Sequence, residues 1–452
     1  MFGSEKGVLL EVTVNRTTKV VYWALLGVAV LAGILALIVR VTDGLGITNL
    51  TQIVPWGLWV ALYIYFIGLS AGSFLLSTLV YVGGIKRFEP IGRIAIFTAV
   101  IALLAGLLFI LIDLGHMERF WTVFINRNPN SVLAWEIHFY LIYMVILAAE
   151  LWLVMRRDLI RASQEKRGIA STLYKVLSFG SKDLSERSAQ EDMRLVKILA
   201  LVGIPIALAV HGGTGAIFAV VKARPYWYTG LFPLIFIVSA LASGGALITV
   251  IAAFVSRMED AVRKEVVVNL GKLVAAMLAV DLIFIGSEFL IGLYGAIPDH
   301  MATYTTIMFG PFWWVFWILQ LGIGAALPLI ILLNKRTNTR LAWIGVAAAM
   351  IVIGVIGVRL NIVIPPLTRP LIDGFATAYR PFTVAPADSI VAALPALLAQ
   401  ADSARQDTVY FPSVIEWITS IGIIGLCVAL FSLGKLILPL DASDNTNMHT
   451  GA

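Results

Sequence analysis

The sequence predicts an all-α, polytopic membrane protein of about ten transmembrane helices, and three observations carry that prediction. Of the 452 residues, 60% are hydrophobic and only 13% are charged, whereas a soluble domain carries roughly 25% charged residues. Apolar runs of about 20 residues or more, the length that crosses a bilayer as a helix, recur along the whole chain. No alternating strand pattern dominates, which selects helices over a barrel.

Taken in order, the apolar runs place helices at roughly 20–41, 54–83, 91–114, 132–155, 195–221, 231–256, 272–297, 308–333, 341–363 and 413–439. The first run is expected to be a retained span rather than a signal, because Glu5, Glu11 and Asn15 precede it. The second (Tyr65, Gly68, Ser70, Gly72, Ser73) and the sixth (Ser239, Ser243, Gly244, Gly245) carry small residues suited to close helix packing. A shift of 172 positions lays Ser70-Ala71-Gly72 over Ala242-Ser243-Gly244. That hint of an internal repeat divides the chain into an N-terminal segment with a first extra helix (1–53), a four-helix bundle (54–230) and a second four-helix bundle (231–363). A loop (364–412), with a short helix expected near 388–400, and a last helix with its tail (413–452) complete it.

Basic residues fix the expected orientation. With the N-terminus inside, the inward segments hold 24 of the 33 lysines and arginines, ten of them in 156–197. The positive-inside rule then puts both termini in the cytoplasm; the expected location is the cytoplasmic membrane of a prokaryote. An anionic leaflet accounts for these basic loops without a nucleic-acid partner. The outward segments 115–131, 222–230, 298–307 and 361–412 are rich in Trp, Pro and Tyr, and Trp121, Trp135 and Trp227 are expected in an aromatic belt.

Ionisable side chains inside a bilayer are costly and point to function. Asp113, His116, Glu136, His138 and His211 fall in the outer half of the predicted bundle, with Arg224 just beyond it. Asp281 lies near mid-membrane and Glu288 two turns further out on the same helix face. Glu150 alone lies toward the inner side. Arg359 and Asn361 close the ninth span and Glu416 opens the tenth, where solvation or an arginine partner explains it. His300 and His449 are expected in solvent. The single cysteine, Cys427, excludes an internal disulfide and a cysteine-held iron–sulfur cluster. A di-haem cytochrome needs four histidines paired at two depths, and His211 has no evident partner; no haem and no metal are expected.

Four stretches resemble the NrfD/polysulfide-reductase membrane-subunit family, in the ten-span form of its DsrP, HybB and alternative-complex-III members. They are Pro55-Trp56-Gly57 with Tyr63 to Gly72; Asp113 to Trp121; His211 through Arg224-Pro225-x-Trp227 to Pro233, with the Ser239–Gly245 segment; and Arg359-Leu360-Asn361 with Tyr410-Phe411-Pro412-Ser413 and Glu416. The resemblance implies a chain without redox cofactors that binds a quinone (menaquinone or ubiquinone) near the outer face. It would exchange electrons there with a ferredoxin-like iron–sulfur subunit, and through it with further catalytic or cytochrome subunits. His211, Asp113, Glu136 and His138 are then candidates for proton transfer, and His116 and Arg224 for holding the quinone oxygens. Glu150, Asp281 and Glu288 are candidates for a proton path. The alternative is a secondary transporter, against which the Gly and Pro interruptions at Pro205 and Gly212-Gly213 do not recur in both halves.

Overall fold

A computed structural model of the chain describes residues 16–369 and 410–440. The helix expected near 388–400, and His449, lie outside these residues. Among the described residues, ten helices are long and apolar enough to cross a membrane. We label them α1 (Arg16–Asp43), α2 (Leu58–Tyr81), α3 (Glu89–Asp113), α4 (Val132–Glu165), α5 (Glu186–Ala219), α6 (Phe232–Phe254), α7 (Asp260–Gly295), α8 (Val315–Leu333), α9 (Leu341–Leu367) and α10 (Val414–Ile437). The chain is thus a multi-pass membrane protein. Several expected spans differ in extent. The run at 308–333 divides into a short helix, Pro298–Phe309, and α8, because Gly310 and Pro311 interrupt it. α4, α5 and α7 continue a turn or more past their apolar runs as charged helix on the side of the basic loops.

Two faces result. One carries the segments 82–88, 166–185, 255–259 and 334–340 and is called the basic face. The other carries 44–57, 114–131, 220–231 and 296–314 and is called the aromatic face.

Why the helices pack as they do follows from their small residues. α2 is buried on almost every side, consistent with an apolar helix that has no polar face. Its Gly72 meets Gly244 of α6 so closely that a methyl group on either would run into the other helix's backbone. These are the two glycines that the 172-residue shift superimposes, so the repeat-related helices cross at repeat-related positions. Gly33 against Gly422 does the same for α1 and α10, and Gly324 against Gly354 for α8 and α9. Without a hydrophobic drive between helices in lipid, such close approach supplies the packing contacts.

α2 packs chiefly on α3, α5 and α6, and α4 on α5, while α6 to α9 pack among themselves. α1 and α10 pair with each other, joined by Tyr22 Oη to Ser432 Oγ at 2.6 Å, and α10 leans on α3. The first half of α8, Val315–Ala326, is wound as a π-helix, a form frequent at functional sites.

Candidate functional site

The buried polar groups meet where α5, α6 and α9 close around α2. His211 is completely buried, and its two ring nitrogens find no hydrogen-bond partner among the described residues. Gly68 on α2 makes room for it: a methyl group there would sit 3.0 Å from His211 Cε1, 3.2 Å from Nε2 and 3.6 Å from Arg359 Nη2. One glycine on α2 therefore faces both side chains.

Arg359, on α9, is also completely buried. Its Nη2 donates to Ser239 Oγ at 3.0 Å, and its guanidinium lies over the Phe236 ring, 4.7 Å from the centroid. His211 packs on the same ring at 5.5 Å. Nε and Nη1 of Arg359 have no hydrogen-bond partner among the described residues. Asp281, on α7, is buried as well, and its Oδ1 has no partner among the described residues. A buried cation is costly in a bilayer, and the Phe236 face and Ser239 are the contacts that offset that cost here.

A second cluster lies one helical turn along α5. Thr214 follows His211 by three residues and so shares its face. Its hydroxyl and that of Tyr140 both donate to Glu136 Oε1, while Glu136 Oε2 has no partner among the described residues. Glu136, Tyr140, Tyr143 and Glu150 are all buried and line one stripe of α4, and both Glu150 oxygens are likewise open.

The remaining candidates are placed elsewhere. Asp113 ends α3, where its neighbour Arg40 donates to the carbonyls of Ile112 (3.1 Å) and Leu114 (2.6 Å). Asp113 Oδ1 finds no partner among the described residues. His116 is on the aromatic face, exposed and 3.0 Å from Glu118 Oε1. His138 is bonded to the Ala134 carbonyl at 2.6 Å and packs on Phe124. Neither joins the cluster around His211. Glu416 caps α10, accepting from the backbone of Ser413 and Asn49 and from the Tyr410 hydroxyl.

Arg224 and Trp227 close the end of α9. Pro366 lacks the N–H that would have bonded the Ile362 carbonyl, and the Trp227 indole donates to that carbonyl at 2.7 Å instead. Arg224 Nη1 donates to the carbonyls of Pro366 (2.9 Å) and Arg369 (2.5 Å). Burial lowers the Arg224 guanidinium from its ordinary value, opposed by Asp299. Trp227 is therefore a buried structural donor stacked on Trp56, not part of an exposed belt. Trp227→Phe should lower the thermal midpoint by the equivalent of about 1 to 2 kcal/mol, the cost of orphaning a buried acceptor. An unchanged midpoint in a thermal-shift assay would contradict that role.

His300, expected in solvent, is buried instead and stacked on Tyr304 at 4.7 Å; burial lowers its basicity. Nearby, a cavity of about 30 Å³ is bordered by Phe236, Glu288, Gln320 and Asn361. Asn361 donates to Gln320 Oε1 at 2.7 Å, and its own Oδ1 has no partner among the described residues. Thr229 donates to Glu288 at 3.2 Å, linking this cavity to the aromatic face. Phe236 thus borders both the His211–Arg359 cluster and the cavity.

The site contains groups that sequence reasoning did not place there: Arg359 as its buried cation, with Gly68, Phe236, Ser239, Tyr140 and Thr214. The signal for Arg359 was available, since it is the only lysine or arginine within 341–363. Among the described residues, no three His, Cys, Asp or Glu side chains could hold a metal ion together.

Known proteins share this sequence over most of its length. Residues 46–370 match the family model described as polysulphide reductase, NrfD, and the chain belongs to that family. It is 40% identical to a selenate reductase subunit of Mesobacillus selenatarsenatis, over 93% of this chain and 94% of that one. It is 27% identical to the Hdr-like menaquinol oxidoreductase integral membrane subunit of Archaeoglobus fulgidus, over 88% and 87% of the two chains. The integral membrane subunit of the menaquinone reductase of Nitratidesulfovibrio vulgaris is 22% identical, over 88% and 86%.

Proposed function

We propose that this chain is the quinone-reactive membrane subunit of a respiratory oxidoreductase complex, and that His211, Arg359 and Glu136 form its quinone site. One observation carries the reading: His211, Arg359 and Glu136 are buried yet keep polar atoms without a partner among the described residues. Buried polar atoms are normally satisfied, so a set of them left open calls for a ligand with polar oxygens. A quinone head answers that demand, offering oxygens at opposite ends of an apolar ring. Two relatives named for menaquinol or menaquinone point the same way and favour menaquinone over ubiquinone.

The chemistry expected of the residues is acid–base. Oxidation of a quinol releases two electrons and two protons, and the reverse holds for reduction. His211 can take one proton at an open ring nitrogen. Glu136 can take the other at Oε2, with Tyr140 and Thr214 holding its second oxygen in place. Arg359 supplies the positive charge that steadies an oxygen as it loses its proton. The electrons leave the chain, or enter it, through an iron–sulfur subunit docked on the aromatic face; this face is the outer one by the distribution of basic residues. Asp281 and Glu288 continue outward from Arg359 on α7 as a proton path, with Glu150 serving the basic face. Residues 54–230 and 231–363 act as two four-helix units that share the α2–α6 crossing.

Photolabelling of the membrane complex with an azido-menaquinone tests the assignment. Label on peptides of α5, α6 or α9 around His211, Phe236 and Arg359, and its loss on adding excess menaquinone, is the expected result. Label confined to α1, α10 or the aromatic-face loops would overturn it.

A further inference from the structure

Outside the site, the segment between α4 and α5 is built unlike the other loops. A helix, Ile169–Leu177, turns three apolar side chains outward along one face: Ile169 is 91% exposed, Leu173 41% and Val176 66%. Their spacing of four and three residues is that of a single helical stripe. The chain then turns through Phe179, which holds a left-handed backbone conformation (φ 48°) and is 81% exposed. That conformation is unfavourable for a bulky residue, and here it sets an aromatic ring outward beside Trp152, 5.3 Å away. Four such groups facing water would be an unexplained cost.

The level at which the helix lies supplies the explanation. Tyr174 Oη donates to the Ile437 carbonyl at 2.7 Å, at the very end of α10. The Trp152 indole of α4 donates to the Leu177 carbonyl at 2.9 Å. These two bonds hold the helix where membrane-spanning helices leave the bilayer. Residues 166–182 also contain Lys166, Arg167, Lys175 and Lys182 and no acidic residue. An apolar stripe flanked by cations at that depth matches the make-up of a helix that lies in a membrane surface.

We infer that residues 166–182 are an interfacial anchor that inserts Ile169, Leu173, Val176 and Phe179 into the basic-face leaflet and binds anionic phospholipid headgroups through its lysines and arginine. The inference rests on the membrane embedding of the chain and is independent of what the chain binds at His211. A basic residue near an anionic surface is worth roughly fivefold in partitioning, so the four together should give a measurable lipid preference.

The test uses the full chain in lipid nanodiscs. Spin-labelled phosphatidylglycerol should associate with the wild type several-fold more strongly than spin-labelled phosphatidylcholine. A variant with Lys166→Gln, Arg167→Gln, Lys175→Gln and Lys182→Gln should lose at least half of that preference. A control with Arg257→Gln, Arg263→Gln and Lys264→Gln, also on the basic face, should keep most of it. A nitroxide on Val176→Cys, in a Cys427→Ser background, should collide more with oxygen than with a water-soluble nickel complex. An unchanged preference in the four-fold variant, or an equal loss in the control, would overturn headgroup binding. A Val176 label that meets the nickel complex freely, or becomes shielded from both only when a partner subunit is present, would overturn insertion.

Discussion

Replacing Arg359 with alanine is expected to reduce quinone-dependent electron transfer by about two to three decades. Removing one preorganised group that stabilises charge developing on an oxygen usually costs about a hundredfold to a thousandfold in rate. Asp281 on α7, at 3% exposure, would remain as a buried carboxyl group. The same substitution takes the guanidinium away from Ser239 and from the Phe236 face. Arg359→Lys should recover part of the rate, since it keeps the charge but not the planar fork. Measuring turnover and the thermal midpoint together separates the roles. A lower midpoint with normal turnover in the surviving protein would make Arg359 structural only. The double variant Arg359→Ala with Asp281→Asn should recover midpoint but not turnover.

Glu136→Gln should lower turnover by about 100-fold while changing quinone affinity only a few-fold. General acid–base groups contribute about a hundredfold to ten-thousandfold, and the amide preserves the size of the side chain and an oxygen for Tyr140 and Thr214 to bond. What it removes is the proton-accepting carboxylate oxygen, Oε2. Thr214→Val, by contrast, keeps Oε2 and the Tyr140 bond and should lower turnover only about tenfold, the loss of one hydrogen bond to a carboxylate at about 1.5 kcal/mol. Quinol oxidation kinetics of the purified complex, with kcat and KM determined separately, distinguish the cases. A Glu136→Gln complex with normal kcat would remove Glu136 from proton transfer.

The architecture was legible in the sequence because lipid imposes one solution. With no water to satisfy the backbone, each long apolar run must be a helix, and each of the ten expected spans corresponds to a helix. The Gly72–Gly244 crossing was visible as well, since close approach leaves a small-residue signature. The limits of the helices were less so. Charged turns at the start of α5 and α7 look like loop in a hydropathy reading, yet they are helix continuing into solvent.

At the candidate site, His211, Glu136 and Asp281 drew attention in the sequence because ionisable groups stand out against apolar runs. That contrast did not show which groups would meet. Arg359 lies 148 positions from His211, and only the packing of α9 against α2 and α6 brings the two together. Arg224 and Trp227 show the converse. Their motif was prominent, but its residues answer to the two prolines that end α9. A motif of donors two or three residues apart gives no hint of which distant carbonyls will be left unbonded. His300 followed the same pattern: hydropathy placed it in a loop, and aromatic stacking on Tyr304 buried it.

Binding of a fluorescent quinol analogue to the purified complex, wild type against His211→Ala, is the sharpest test of the quinone assignment. Saturable quenching is expected in the wild type, with affinity reduced at least about tenfold in the variant while the thermal midpoint is held; that reduction is the loss of one well-placed hydrogen bond to a buried group. Equal quenching in the two proteins would place the quinone away from His211 and overturn the assignment.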